Sequence, residues 1–374
     1  MSAISPAAPV FILLFLLLLA FPGQAIHGAS DGLLLWFHTV LPTLAPAMIC
    51  TRMLLLTGGD RLLMKPLCPL FRRLFSLSDT GSFILLSGML CGYPLGPALC
   101  ARALKENRIS SEEASYLLAF CSFPSPMFLA GYIPGQFPGP LSVGLLFFGI
   151  YIPAFLLSWI AGRRFSQEAP SGPPDSRNSE PPQTRGVSGH EITEKGSYLP
   201  DSSKTDSLDT VLYDVCDIMV LIGAYLMLFS ILARFLAHAA WIPAPAAAAL
   251  CGILEMTTGI RQICGTFPAA VCLPACAASA AFGGISGVFQ TRSVIGCGSC
   301  ASQTAADFAD APDSGPAPDQ RTRHKSLPNP LSNRKNAGFN IRHYVGWKLL
   351  HAGFSALILT VLQLVLPLEF PPHS

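Results

Sequence analysis

The sequence predicts an all-α fold: a multi-pass bundle of transmembrane helices, built as two pseudo-repeated halves with broken or re-entrant segments. Three observations predict it. Of 374 residues, 51% are hydrophobic and only 12% charged, against roughly 25% charged in soluble domains, and the mean hydropathy is +0.47. The apolar residues gather into stretches of membrane-spanning length separated by polar segments. Finally, Gly and Pro do not keep to the loops; some interrupt the apolar stretches themselves. Non-helical backbone at membrane depth is tolerated only where it is buried in protein or lines a cavity.

Val10–Ala20 is the first apolar run. Gly23-Gln24-Ala25 resembles a cleavage site, but no Lys or Arg precedes the run, as a signal peptide normally requires. A retained first helix is therefore expected. Leu33–Leu56 is the second span, with a kink expected from Pro42 and Pro46. Arg52, Arg61, Lys65, Arg72 and Arg73 follow, which assigns that loop to the cytoplasm by the positive-inside rule.

Three apolar stretches come next: Gly81–Cys100, Tyr116–Ile133 and Leu141–Ala161. The polar segment after Arg163-Arg164, rich in Ser, Pro and mixed charge, reads as a disordered cytoplasmic linker. Three full crossings would leave the two basic flanks on opposite sides, so one stretch is expected to be re-entrant. Gly81–Cys100, broken at Gly92-Tyr93-Pro94-Leu95-Gly96, is the first choice; Tyr116–Ile133, broken at Pro124 and Pro126, satisfies parity equally. Ser110 and Glu113 on the connector between them have the spacing of a capping box.

The second half repeats this layout. Val211–Ala237 is a clear span, followed by Ala244–Met256 and by Phe267–Val288, Gly-rich at its end. A second polar segment and the last span, Trp347–Leu366, complete the chain, with Trp347 and Lys348 read as interface anchors. The expected division is residues 1–162 (N-terminal membrane half), 163–209 (linker), 210–297 (C-terminal membrane half), 298–342 (linker) and 343–374 (last helix and tail). Gly92–Gly96 and Gly283–Gly287 share a G-x-x-x-G spacing late in an apolar stretch and suggest an internal repeat, parallel or inverted. The same spacing also makes helix-packing faces.

Glu255 stands out within Leu250–Gly259, because an ionisable group at that depth costs several kcal/mol unless it is paired or faces a water-filled cavity. Two readings stay open: a ligand or coupling-ion contact, or a helix-end carboxylate pairing with Arg261. Arg234 reads as a snorkelling cation. Most of the 12 cysteines lie in apolar runs, where Cys acts as a small hydrophobe. Neither the lone Cys297-Gly-Ser-Cys300 nor the pair Cys272 and Cys276 is read as a metal site, and no cofactor is expected. HExxH, GxSxG and Walker A motifs are absent, so the chain is not read as an enzyme. Basic residues lack aromatic interleaving, which argues against nucleic acid as a partner.

Several segments resemble a known family: Ser87-Gly-Met-Leu-Cys-Gly-Tyr-Pro-Leu-Gly-Pro97, Arg108-Ile-Ser-Ser-Glu-Glu-Ala114, Ala119-Phe-Cys-Ser-Phe-Pro-Ser-Pro126, Gly252-Ile-Leu-Glu-Met-Thr-Thr-Gly259, Phe282-Gly-Gly-Ile-Ser286 and Lys348-Leu-Leu-His351. In this order they are similar to bacterial sporulation integral membrane proteins of the nucleoside-recognition (Gate) domain group. The resemblance implies a Gate-type domain in the bacterial cell membrane, with a setting in spore formation. One departure is that the family usually has Asn where this chain has Ser122-Phe123.

The candidate substrate-binding residues are those at the breaks: Gly92, Tyr93, Pro94, Gly96, Ser122, Ser125, Glu255, Thr257, Thr258, Gly283, Gly284, Ser286 and Gln290. Freed backbone N–H and C=O groups there would bind a small polar solute, nucleoside-like or other, as in transporters with discontinuous helices. The alternative is a non-transport sporulation or envelope assembly factor. Expected partners are the lipid bilayer, that solute, and either a second copy of the chain or sporulation proteins.

Overall fold

The computed structural model describes residues 8–168, 208–295 and 341–365. Most of the two polar linkers, Cys297 and Cys300 with them, lies outside the described residues. Among the described residues every regular element is helical. Five helices are long and apolar enough to cross a membrane: Pro22–Thr57, Val143–Arg163, Leu208–Ala237, Ala269–Ile295 and Ile341–Val365. The chain is a multi-pass membrane protein.

The second span starts earlier than its hydropathy suggests. It begins at Pro22 and runs through a widened, π-helical turn at Trp36–Val40, just before Pro42. Its Arg52, Gln24 and Asp31 find partners on Leu208–Ala237, against which it packs antiparallel. Arg52 pairs with Asp214 at 2.6 Å near one end. At the other end Arg234 donates to Gln24 at 3.1 Å and to Asp31 at 3.4 Å, so this arginine is held by partners rather than snorkelling alone. Close approach needs Gly28 and Gly32: a Cβ on either would come within 2.8 Å of the Cα of Ile231 or Met227. This is the small-xxx-small device of membrane helix pairs.

These two ion pairs define two faces of the bundle. The basic face carries Arg52, Asp214 and Arg102, whose guanidinium also reaches Asp214. The opposite face carries Asp31, Arg234 and Arg261. Asp79–Cys91 and Leu95–Lys105 have 13 and 11 residues, roughly 20 and 16 Å long, too short for a hydrocarbon core of about 30 Å. Both outer ends lie on the basic face. Arg102 pairs with Asp214, and the backbone N–H of Ser78 donates to Glu113 at 2.8 Å. Residues 79–105 therefore form a re-entrant hairpin, the first of the two choices open in the sequence. Ser110 does cap Glu113, its Oγ accepting the Glu113 N–H at 3.1 Å. The Glu113 carboxylate, however, reaches across to Ser78 and stitches two helix starts together.

Ser111–Phe120 enters from the basic face, breaks at 121–125, and continues through Phe128–Tyr132 and Ile133–Gln136. Val143–Glu168 returns, its Ser158 carbonyl accepting from Tyr116 Oη at 2.8 Å. The second half runs the same course from the other side. Ala244–Leu254 and Met256–Thr266 form a hairpin whose Arg261 faces Asp31. Its returning arm, with Thr257, Thr258, Arg261 and Gln262, is too polar to read as membrane sequence. Ala269–Phe282 then crosses, breaks at Gly283-Gly284 and continues as residues 284–295. The last span, Ile341–Val365, packs Leu359 over Gly149.

Each half is thus a long span, a hairpin, a broken crossing and a closing span, entered from opposite faces. The repeat is inverted. The hairpin tip at Gly92–Pro94 corresponds to the tip at Glu255, and the break at 121–125 to Gly283-Gly284. The shared G-x-x-x-G spacing had paired a hairpin tip with a broken crossing, and that pairing is corrected.

In a chain with its native cysteines replaced, cysteines at Arg73 and Lys105 should react with an impermeant thiol reagent from one side of the membrane. Cysteines at Trp241 and Gly265 should react from the other. Labelling of all four from one side would refute the inverted arrangement. Gly28→Leu should cost about 1–3 kcal/mol by overpacking, read as a lower unfolding temperature in micelles.

Candidate functional site

The four breaks meet in the interior. Gly92, at φ +85° and ψ −166°, ends the first hairpin arm, and the Tyr93–Pro94 peptide is cis. A Cβ on Gly92 would strike Ser125 of the second break, and one on Gly283 (φ +82°) would lie 2.9 Å from the Tyr93 ring. One tip of the first half therefore touches both broken crossings. The other tip joins them, since Gly284 packs on Leu254 and Met256.

Breaking a helix orphans backbone carbonyls, since its last four lack intrahelical donors. Side chains from distant elements supply the donors. Tyr93, 8% exposed, shares its hydroxyl proton between the carbonyls of Ala281 at 2.9 Å and Ala280 at 3.2 Å. Lys348 Nζ donates to Tyr93 Oη at 2.5 Å and to the carbonyl of Ser122 at 2.8 Å. Tyr151 Oη serves Pro124 at 2.9 Å and Met89 at 3.1 Å. Tyr132 Oη donates to the Thr257 carbonyl at 2.8 Å, in the first turn of Met256–Thr266, and so ties the broken crossing of the first half to the second tip. Lys348 is thus no interface anchor. It is 2% exposed and ties the last span directly to two of the four breaks, and through Tyr93 to a third. His351, one turn on, donates to the Ile150 carbonyl at 2.8 Å.

Glu255 is 1% exposed and sits at the second tip in extended backbone, φ −146° and ψ 120°. It N-caps Met256–Thr266, accepting from the backbone N–H of Thr257 at 3.0 Å and of Thr258 at 2.7 Å, and from the Thr257 hydroxyl. Arg261 pairs with Asp31 instead. An ionised carboxylate offers about four lone-pair sites. Three are used, so Glu255 is a helix cap that retains room for one further donor.

Between the breaks lies a cavity of about 310 Å³. Of the residues singled out in the sequence, Gly92, Tyr93, Ser125, Glu255, Thr257, Gly283 and Gln290 line it. Six do not. Pro94 stands behind the first tip, at the start of Leu95–Lys105. Gly96, with Gly88, makes room for the Cys121 carbonyl. Ser122 gives its carbonyl to Lys348, and Thr258 gives its N–H to Glu255. Gly284 packs against the second tip, and Ser286 accepts from Gln290 Nε2 at 3.0 Å. Phe123 stacks on Tyr151 at 6.1 Å.

His38, Thr39 and Thr43, from the widened turn and the helix after it, complete the polar wall with Tyr132. The i, i+4 pair of threonines in an otherwise apolar span was the available signal for them. For Lys348 and His351 it was two ionisable side chains three residues apart within one span.

No family model matches the chain, and no solved structure matches it. A curated relative does. The chain is 32% identical over 139 residues to the sporulation integral membrane protein YlbJ of Bacillus subtilis (strain 168). The match covers 37% of this chain and 34% of that protein, so the chain spans about a third of the length of the relative it matches. This supports the sporulation membrane family resemblance.

Tyr93→Phe removes a donor from Ala281 and an acceptor from Lys348, and should destabilise by about 1–2 kcal/mol. Combined with Lys348→Met, the pair should show a coupling of at least about 0.5 kcal/mol in a double-mutant cycle of unfolding. Strict additivity would mean that the two side chains do not act together.

Proposed function

From its relationship to a sporulation integral membrane protein, we propose that this chain is a Gate-type secondary transporter of a small polar solute in the bacterial cell membrane. The basic face and the two linkers are cytoplasmic by the positive-inside rule. The observation that carries the reading is the convergence of two hairpin tips and two broken crossings, in inverted repeat, on one cavity whose largely apolar wall carries a few polar groups. Inverted repeats with discontinuous helices around a midplane site are a recurring transporter architecture, in which one part rocks against the other. The cavity offers acceptors at Glu255, donors or acceptors at Ser125, Thr39, Thr43 and Gln290, and ring faces at Tyr93 and Tyr132. Such a set suits a neutral or cationic solute rich in hydroxyl or amine donors, nucleosides among them. Glu255 would accept from the solute while it caps its own helix.

The relative's name favours a second reading, a sporulation or envelope assembly factor that uses the fold as a scaffold and recruits partners through its linkers. Deleting residues 169–207 separates the two: a transporter keeps its activity, and a linker-dependent scaffold loses its own.

Thermal-shift screening of the purified protein against nucleosides, amino acids and small organic acids should find a stabilising solute. For that solute, Glu255→Gln should weaken binding and uptake at least about tenfold, the loss of a charge-assisted hydrogen bond of about 1.5–3 kcal/mol, with membrane insertion retained. Wild-type transport by a well-folded Glu255→Gln protein would overturn the role given to Glu255.

A further inference from the structure

Away from the central cavity, the second half brings three thiols together. Cys264 lies near the end of Met256–Thr266, and Cys272 and Cys276 lie one turn apart on Ala269–Phe282. The turn at Phe267-Pro268 folds the two helices together. The sulfurs are 3.2 Å (264–272), 3.4 Å (264–276) and 3.7 Å (272–276) apart. Cys272 and Cys276 are 0% exposed and Cys264 7%. The sequence spacing had shown only the i, i+4 pair, which was read as ordinary core.

We propose that these three thiols are a binding site for a soft, thiophilic metal ion, and specifically for monovalent copper. The donor set carries the assignment. No carboxylate or imidazole joins the three sulfurs among the described residues, and the surrounding side chains are apolar, including Ile260, Ile263 and Leu273. Calcium and magnesium need oxygen ligands. Structural zinc takes four ligands, and no fourth donor lies within the group. Soft thiolate donors select monovalent copper, which is content with three.

The geometry is close to what such an ion needs. Metal–thiolate bonds of about 2.3 Å place three sulfurs about 4.0 Å apart around an ion in their plane, and somewhat closer around an ion above it. To reach the in-plane spacing the observed separations open by about 0.3 to 0.8 Å, and by less for an ion above the plane, within reach of side-chain rotations. Cys272 lies in the first turn of its helix, where the positive end of the helix dipole favours a thiolate. Gly265, next to Cys264 in the chain, is exposed, so the buried site lies close to one face of the protein. Binding exchanges S–H for S–Cu bonds. Each proton lost passes to bulk water, and neither copper nor sulfur changes oxidation state.

The test uses full-length protein in micelles, reduced and kept anaerobic, in a Cys297→Ser/Cys300→Ser background so that the only C-x-x-C pair cannot contribute. Monovalent copper is titrated in competition with bicinchoninate, with copper–thiolate luminescence and X-ray absorption as readouts. The expected result is one copper per chain with three sulfur neighbours. Cys264→Ser and Cys272→Ser should each weaken binding by more than the roughly 10–100-fold that loss of an outer-shell partner costs, and Cys251→Ser should leave it unchanged. Circular dichroism and elution profiles show whether each variant is folded. Copper binding that survives replacement of all three cysteines, no binding by the folded protein, retention of zinc in preference to monovalent copper, or a Cys264–Cys272 disulfide that forms in place of copper binding would each overturn the proposal.

Discussion

The interior of this bundle depends on what happens to a carbonyl when a helix stops inside a membrane. No water is available there, and an orphaned C=O group costs several kcal/mol. Four helices stop near one another, and one contact joins most of them: Lys348 Nζ to Tyr93 Oη, with Tyr93 passing on to Ala280 and Ala281 and Lys348 reaching Ser122. A tyrosine could satisfy one break alone. The lysine adds a second break directly, through the Ser122 carbonyl, and is linked through the Tyr93 hydroxyl to a third at Ala280 and Ala281. It also fixes the last span against both halves, so that elements far apart in sequence are positioned by a single hydrogen-bonded group.

The second tip solves the same problem from the donor side. Glu255 ends one helix arm and caps the next with its own carboxylate, satisfying the first N–H groups of Met256–Thr266. The carboxyl group is thereby held in the interior by hydrogen bonds to its own helix start, with no ion pair to it among the described residues. The two tips are chemically unlike: a tyrosine–lysine pair that serves carbonyls, and a carboxylate that serves N–H groups. Tyr93 and Glu255 both border one cavity.

The inverted relation of the halves follows from ion pairs at the two faces rather than from any likeness of sequence. Asp214 gathers Arg52 and Arg102 on one side; Asp31 gathers Arg234 and Arg261 on the other. The hairpins enter from these opposite sides, so their tips meet near the middle. Glycine spacing could not reveal this, because Gly283 opens a crossing and Gly92 a hairpin tip. The two use the same residue for the same backbone reason in elements that do not correspond.

The sequence by itself determined the membrane class, the places where helices break, and parity, which required a re-entrant stretch. These follow from local quantities: hydropathy, Gly and Pro conformational limits, and charge on flanking loops. Glu255, Tyr93, Gly283 and Gln290, which line the cavity, were legible as special positions because a polar or conformationally special residue inside an apolar run is costly wherever it sits. Tertiary structure alone decided which break pairs with which, that Lys348 turns inward instead of to the interface, that Gly28 and Gly32 admit a neighbouring helix, and that Cys264 joins Cys272 and Cys276. Each of those depends on a second element whose approach is set by packing and ion pairs between residues far apart along the chain or across a helix turn, and no local pattern encodes that approach.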